Sequence, residues 1–176
     1  ISVNLKSEEG LKFAKELVCA SDVLIENFGA GVLDRLGLGY DVMQKINPNL
    51  VYCALKGFLS GPYEKRAALD EVVQMMGGLA YMTGPEGNPM RAGASVNDVM
   101  GGLFGVIAIQ AALLERHQTG KGTFVRSGLF ESNMFLVAQH MVQYRQTGIA
   151  AAPMPERVSA WAVYDVFATA DGKKIF

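Results

Sequence analysis

The stretch VLIENFGAGVLDRLGLGYDVMQKINPNLVYCALK, residues 23–56, decides the fold. It opens on the apolar run Val23-Leu24-Ile25 and closes on Leu50-Val51-Tyr52-Cys53-Ala54-Leu55. Short apolar runs bounded by turn residues read as strands buried on both faces. Between them, residues 31–36 and 40–46 read as two short helices. Asn47-Pro48-Asn49 stops the second, because proline cannot continue a helix and asparagine favours turns.

The same alternation extends outward. Ser7-Glu8-Glu9 marks a helix start: serine caps, and the acids suit the positive end of the helix dipole. That helix runs to about Ala20, with Leu11, Ala14, Leu17 and Val18 on one face. Ser2-Val3-Asn4-Leu5 before it reads as the end of a strand. Downstream come a Gly- and Pro-containing loop at 56–69 and a helix at 70–81 weakened by Gly77-Gly78. A second loop at 84–97 follows, then a long helix from Asp98 to about Gln118. Residues 123–127 read as a strand and 129–146 as a helix. Helices alternating with buried strands predict an α/β layer with a parallel sheet. Pro153 and Pro155 mark a break, and Ala170-Asp171-Gly172 is a hairpin turn between 161–168 and 173–176. Residues 1–147 are therefore read as part of a large domain, 148–160 as a linker, and 161–176 as the start of a second, smaller α+β domain. Both ends stop within apparent strands, so the chain is read as a piece of a longer protein.

Half of the 176 residues are hydrophobic and 19% are charged, which fits a folded chain. Sixteen basic and seventeen acidic residues nearly cancel, so neither nucleic acid nor an anionic membrane is an expected partner. Cys19 and Cys53 lie in apolar runs and read as buried, reduced thiols. There is no CxxC, and His117 and His140 lack a nearby ligand set, so no metal site is expected. Residues 99–114 carry no charge but fall short of the ~20 a bilayer needs. With Gly101, Gly102 and Gly105 they read as a helix packed on a sheet. No charged segment precedes an apolar one at the start, so no signal peptide is read and a cytoplasmic location is expected.

The glycines at 101, 102 and 105 do not match a dinucleotide fingerprint, no P-loop is present, and no GxSxG elbow occurs. Asp98 stands out instead. It follows a Gly- and Pro-containing loop and opens an uncharged helix, so its carboxylate either caps that helix or faces a cleft. The two are compatible: near a helix N-terminus a carboxylate stays ionised, as a nucleophile requires. Gly101 and Gly102 would let a bulky substrate approach the backbone.

The segment Glu26-Asn27-Phe28-Gly29-Ala30-Gly31-Val32-Leu33-Asp34-Arg35-Leu36-Gly37-Leu38 resembles a signature of family III CoA-transferases. So do Asn47-Pro48-Asn49-Leu50-Val51-Tyr52, Lys56-Gly57-Phe58, Gly61-Pro62-Tyr63 and Asp98-Val99-Met100-Gly101-Gly102-Leu103. Ala111-Ala112-Leu113-Leu114-Glu115-Arg116 with Thr119-Gly120-Lys121-Gly122 completes the series. Each match alone is weak, but the ordered set is specific and covers nearly the whole chain. The resemblance implies a Rossmann-like large domain, incomplete here, plus a smaller domain, and an interlocked homodimer. It implies ping-pong transfer of CoA between an acyl-CoA and a carboxylic acid, with no metal, no redox group and no tightly bound cofactor. Asp98 matches the aspartate that attacks the thioester, giving a mixed anhydride and CoA thiolate, then an aspartyl-CoA thioester that the acceptor acid collects.

By position, Val3, Asn4, Leu5 and Lys6 match a segment along the nucleotide end of CoA; Lys6 either faces a phosphate or is a solvated lysine. Asn27, Phe28 and Gly29 match contacts at a strand's C-terminal end, where α/β ligands bind. Arg35 matches an arginine suited to phosphate. Lys56 and Arg66 border the site. The family's first strand and its glycine-rich covering loop have no match in this stretch, so on the resemblance this stretch alone is not active.

Two rivals stand beside transfer. An acyl-CoA racemase or epimerase of the same superfamily would use Asp98 as a base with a histidine before an aspartate. This chain has Leu69 before Asp70, and leucine carries no proton. A non-catalytic CoA-binding subunit is the other, against which the retained Asp98 argues. Lys56-Gly57-Phe58 and Ala68-Leu69-Asp70-Glu71 point towards a dicarboxylic or short-chain acceptor.

Overall fold

In the computed structural model, which describes residues 1–158, 161 and 163–176, the strand predicted at 50–55 is the middle of a three-stranded parallel sheet. The sheet consists of β1 (Val23–Glu26), β2 (Val51–Lys56) and β3 (Phe124–Gly128), in that spatial order. Val23 pairs with Val51, and Tyr52 pairs with Phe124. Val51, Tyr52, Cys53 and Ala54 are all buried, as a strand covered on both faces must be.

One face carries α1 (Glu8–Cys19), α2 (Val32–Arg35) and α3 (Tyr40–Ile46). Their side chains Val18, Leu33 and Met43 join Leu38, Leu50, Tyr52 and Ala54 in one cluster. Tyr40, Tyr52 and Phe124 add three ring contacts there, with centroids 5.1–5.9 Å apart. Ser7 caps α1 as predicted, its Oγ accepting from the Gly10 N–H at 3.1 Å.

The other face carries the long α6 (Val96–Thr119) and, beside it, α7 (Leu129–Thr147). A Cβ on Gly105 would stand 2.9 Å from Leu55 Cδ2, and one on Gly101 would stand 2.8 Å from Leu129 Cδ2. Both glycines therefore let elements pack closely. Gly101 serves the α6–α7 contact, not the approach of a ligand, while the predicted openness holds at Gly102. By length and composition α6 could cross a membrane; here one face meets the sheet while Val99, Leu103, Val106, Ile107 and Leu114 are exposed.

Several expectations need correction. Residues 1–4 form no strand. β1 is not buried on both faces: β2 is its one neighbour among the described residues, and Ile25 is 56% exposed. The helix predicted at 70–81 divides into α4 (Asp70–Met76) and α5 (Leu79–Thr83), because Gly78 adopts φ 85°, a left-handed turn that glycine tolerates. Cys19 is exposed while Cys53 is buried.

Within the segment read as a linker, a 3-10 turn at Met154–Glu156 lies against α5, and Glu156 accepts from the Glu86 N–H at 3.1 Å. The strand predicted at 161–168 is limited to β4 (Phe167–Ala168), which pairs antiparallel with β5 (Lys174–Ile175). Residues 159, 160 and 162, parts of the predicted linker and second domain, lie outside the described residues.

Met43, the fully buried residue of α3, tests the cluster. Met43→Ala should destabilise the protein by about 2–5 kcal/mol, read as a lower denaturant midpoint. A midpoint within error of wild type would mean that the packing of α3 on the sheet contributes little.

Candidate active site

β1 ends on Glu26, a carboxylate buried at the C-terminal edge of the sheet. A buried charge needs a partner. Lys56, at the end of the adjacent β2, supplies it with Nζ 2.5 Å from Glu26 Oε1. The same ammonium donates to the Phe28 carbonyl at 2.7 Å, and the Phe28 N–H donates to Glu26 Oε2 at 2.9 Å. Three contacts thus lock the turn carrying Asn27 and Phe28. Beside it opens a cleft of about 280 Å³, lined among others by Gly29, Gly31, Tyr40, Tyr52, Lys56 and Arg126. Gly31 has φ 71°, and a Cβ there would stand 3.2 Å from Arg35 Nη1, so glycine lets the guanidinium fold back over the turn. Arg126 pairs with Glu64 at 3.1 Å.

Asp98 reaches the same edge from the other face. Near its C-terminus α6 is tied to the N-terminal ends of the strands: Arg116 donates to the Asn49 carbonyl and to Asp22 Oδ1, each at 2.9 Å. Near its start, the Gly101 carbonyl accepts from Ser127 Oγ at 2.8 Å, close to the end of β3. The helix therefore runs antiparallel to the strands and delivers its first turn to their C-terminal edge, where open α/β sheets bind ligands.

Asp98 does not open this helix. It is the third helical residue, after Val96 and Asn97, and Ser95 at the cap position makes no side-chain cap bond. The cap comes from α4, where Asp70 Oδ1 accepts from the N–H of Asn97 at 2.8 Å and of Asp98 at 3.3 Å. Asp70 Oδ2 accepts from Gln74 Nε2, and Gln74 Oε1 accepts from the Ala92 N–H at 2.7 Å. Asn97 is fully buried, and its side-chain amide has no partner among the described residues. Asp98 itself is exposed and does not line the 280 Å³ cleft. Its carboxyl is pushed above the ordinary carboxylate range by partial burial, then by the charges of Asp70 and Glu71. The helix-terminus argument alone pointed to an easily ionised group; partial burial and then two acidic neighbours overrule it.

The remaining predicted residues divide by place. Asn27, Phe28, Gly29 and Arg35 are exposed around the turn that Lys56 holds. Val3 and Leu5 are partly buried, Leu5 against the core cluster, whereas Asn4 and Lys6 are exposed at the entrance to α1. Asn4 Oδ1 accepts from the Lys6 N–H at 3.0 Å. Arg66 stacks over the Tyr63 ring at 4.7 Å. Sequence reasoning gave no site role to Glu26, Arg126, Asp70, Gln74 or Asn97. For Glu26 a signal existed, a lone acid ending an apolar strand. For Asp70 and Gln74 the i, i+4 spacing was visible but their target was not.

The family model described as CoA-transferase family III matches residues 1–176. The chain is 37% identical to a mouse succinyl-CoA:glutarate CoA-transferase, over 98% of this chain and 40% of that protein. It is 38% identical to an acetyl-CoA:oxalate CoA-transferase of Acetobacter aceti, over 97% of this chain and 45% of that protein. A crystal structure of a CaiB/BaiF family protein from Brucella suis superposes with TM-score 0.90 at 38% identity, covering 98% of this chain and 46% of that one. The chain thus spans less than half the length of these relatives.

The Lys56–Glu26 pair and the Arg66–Tyr63 stack predict different outcomes. Lys56→Met leaves a carboxylate buried and should cost up to about 3 kcal/mol, the low end for breaking a buried pair, since 20% of the lysine side chain meets solvent. Arg66→Ala should stay within about 1 kcal/mol, as for an exposed cation–π contact. Thermal unfolding of both variants checks the order; equal losses would remove Lys56 from its anchoring role.

Proposed function

The chain belongs to CoA-transferase family III, and on that premise we propose that it carries the nucleophile of an enzyme moving CoA from an acyl-CoA to a carboxylic acid. One observation supports this most directly: Asp98 presents an exposed carboxylate on the first turn of α6, at the C-terminal edge of the sheet. An oxygen of Asp98 attacks the thioester carbonyl, the C–S bond breaks, and CoA leaves as thiolate. The thiolate then attacks the aspartyl carbonyl of the mixed anhydride and releases the donor acid. That leaves an aspartyl-CoA thioester, which the acceptor carboxylate attacks in turn. Return of the thiolate to the new acyl group regenerates Asp98. Each step exchanges one acyl bond for another, so one difficult exchange becomes several easier ones.

The relatives' names include glutarate and oxalate as acceptors, and a dicarboxylate is the acceptor class proposed for this protein. The turn at Asn27–Phe28, fixed by Lys56, and the guanidinium of Arg35 are proposed to receive CoA. Racemisation is less well supported. Leu69, 70% exposed immediately before Asp70, has no proton to exchange.

In the full-length protein, acyl-CoA followed by hydroxylamine should leave a hydroxamate on Asp98, detected by peptide mass spectrometry. Asp98→Asn should lower kcat by roughly 10³-fold or more, as loss of a nucleophile does. Attack requires the ionised carboxylate. Because that carboxyl is pushed up, kcat/KM should fall on acidification at a pH above the ~4 of an ordinary carboxylate. Unmodified Asp98 together with full turnover by Asp98→Asn would sink the proposal.

A further inference from the structure

The N-terminus of a helix leaves backbone N–H groups without partners, and a residue immediately before the helix normally answers them. In α6 that residue, Ser95, does not. The answer comes from position 70, whose side chain is almost wholly buried at 3% exposure. We propose that Asp70 is the positioning residue of this site, closing the open end of α6 from the neighbouring α4 and so holding the turn on which Asp98 stands. The proposal rests on Asp98 as the acyl-accepting group.

The arrangement has the features of a built support. Both oxygens of Asp70 are used: Oδ1 for the amides of Asn97 and Asp98, Oδ2 for Gln74 Nε2. Hydrogen bonds to an ionised acceptor are the strong ones, and three donors offset the cost of burying this carboxylate. Gln74 lies four residues on, on the same helical face, and its Oε1 holds the Ala92 N–H. Two side chains of α4 thus grip the loop before α6 and the first turn of α6 together. α4 is itself fixed from behind, where Asn133 Nδ2 of α7 donates to the Val73 carbonyl at 3.1 Å.

The same carboxylate places a negative charge beside the one that must react. From α4 both Asp70 and Glu71 oppose ionisation of Asp98. Arg91, in the loop before α6, is engaged with Glu71. α7 brings the uncharged Ser132 and Asn133 to this junction, while its Glu131 accepts from the Leu59 N–H at 3.1 Å. A carboxylate held in this way is a stronger nucleophile once ionised, because basicity and nucleophilicity rise together.

The test uses full-length protein with ¹³C-labelled aspartate carboxyls, the Asp98 signal being assigned by its loss in Asp98→Asn. Asp70→Asn keeps shape and one acceptor but removes the charge, so Asp98 should titrate at least about 0.5 pH unit lower. Asp70→Ala removes the cap, so hydrogen exchange at the Asn97 and Asp98 amides should quicken about fivefold or more. In Asp70→Ala kcat should fall about tenfold with KM for acyl-CoA within twofold. If Asp70→Ala fails to fold, the titration in Asp70→Asn still decides. An unmoved titration, or unchanged exchange in a folded Asp70→Ala, overturns the positioning role. Should Asp98→Asn retain turnover, the nucleophile reading falls, while titration and exchange still report whether Asp70 holds the turn.

Discussion

The three-stranded sheet and the helices on it are arranged around the sealing of β2 from water on both sides. Tyr52 and Ala54 belong to the cluster with α1, α2 and α3, while Cys53 and Leu55 lie beneath Gly105 of α6. A strand covered twice can satisfy its backbone only through its neighbours, so β1 and β3 must pair with it in register. That register sets the edge. Glu26 falls opposite Ala54, and Lys56 falls opposite Gly128. The groups that shape the candidate site therefore arrive at one end of the sheet as a consequence of burying four residues in its middle.

At that edge the two faces treat charge in opposite ways. On the α2 side Glu26 is neutralised by Lys56, and the turn carrying Asn27 and Phe28 becomes rigid. On the α6 side the buried acid Asp70 is met by N–H groups and, among the described residues, by no cation, and its charge remains to act on Asp98. A neutralised pair fixes geometry; a carboxylate held by N–H groups alone keeps a charge that opposes ionisation of its neighbour. The difference follows from what stands opposite each acid, a lysine at a strand end in one case and a helix N-terminus in the other.

What could be read in advance was whatever depends on neighbours in sequence. The apolar run at 50–55 and the serine cap of α1 act over a few residues, and the structure shows both. Asp98 was legible as an isolated acid before an apolar helix. Its partner was not, because Asp70 lies 28 residues away and only folding brings the two together. Burial failed for the same reason. Cys19 sits in an apolar run, but the phase of α1 leaves it outside the cluster that takes Val18. Ile25 belongs to an equally apolar run whose position in the sheet leaves it exposed.

Helical phase also explains why Asp98 is exposed while its neighbour is buried. Asn97, Gly101 and Gly105 are spaced by four and form the stripe of α6 that turns inward, towards α7 and the sheet. At about 100° per residue the next position points away, and Asp98, Gly102 and Val106 are the positions that do. The two inward glycines hold this phase, because any side chain at 101 or 105 would strike Leu129 or Leu55. A rotation of α6 by one residue would bury the carboxylate where the Asn97 side-chain amide, unpartnered among the described residues, now lies. The close packing that seats one face of α6 on the sheet is thus the constraint that keeps its one first-turn carboxylate on the surface. Hydropathy alone, by which α6 could pass for a membrane span, contains no trace of it.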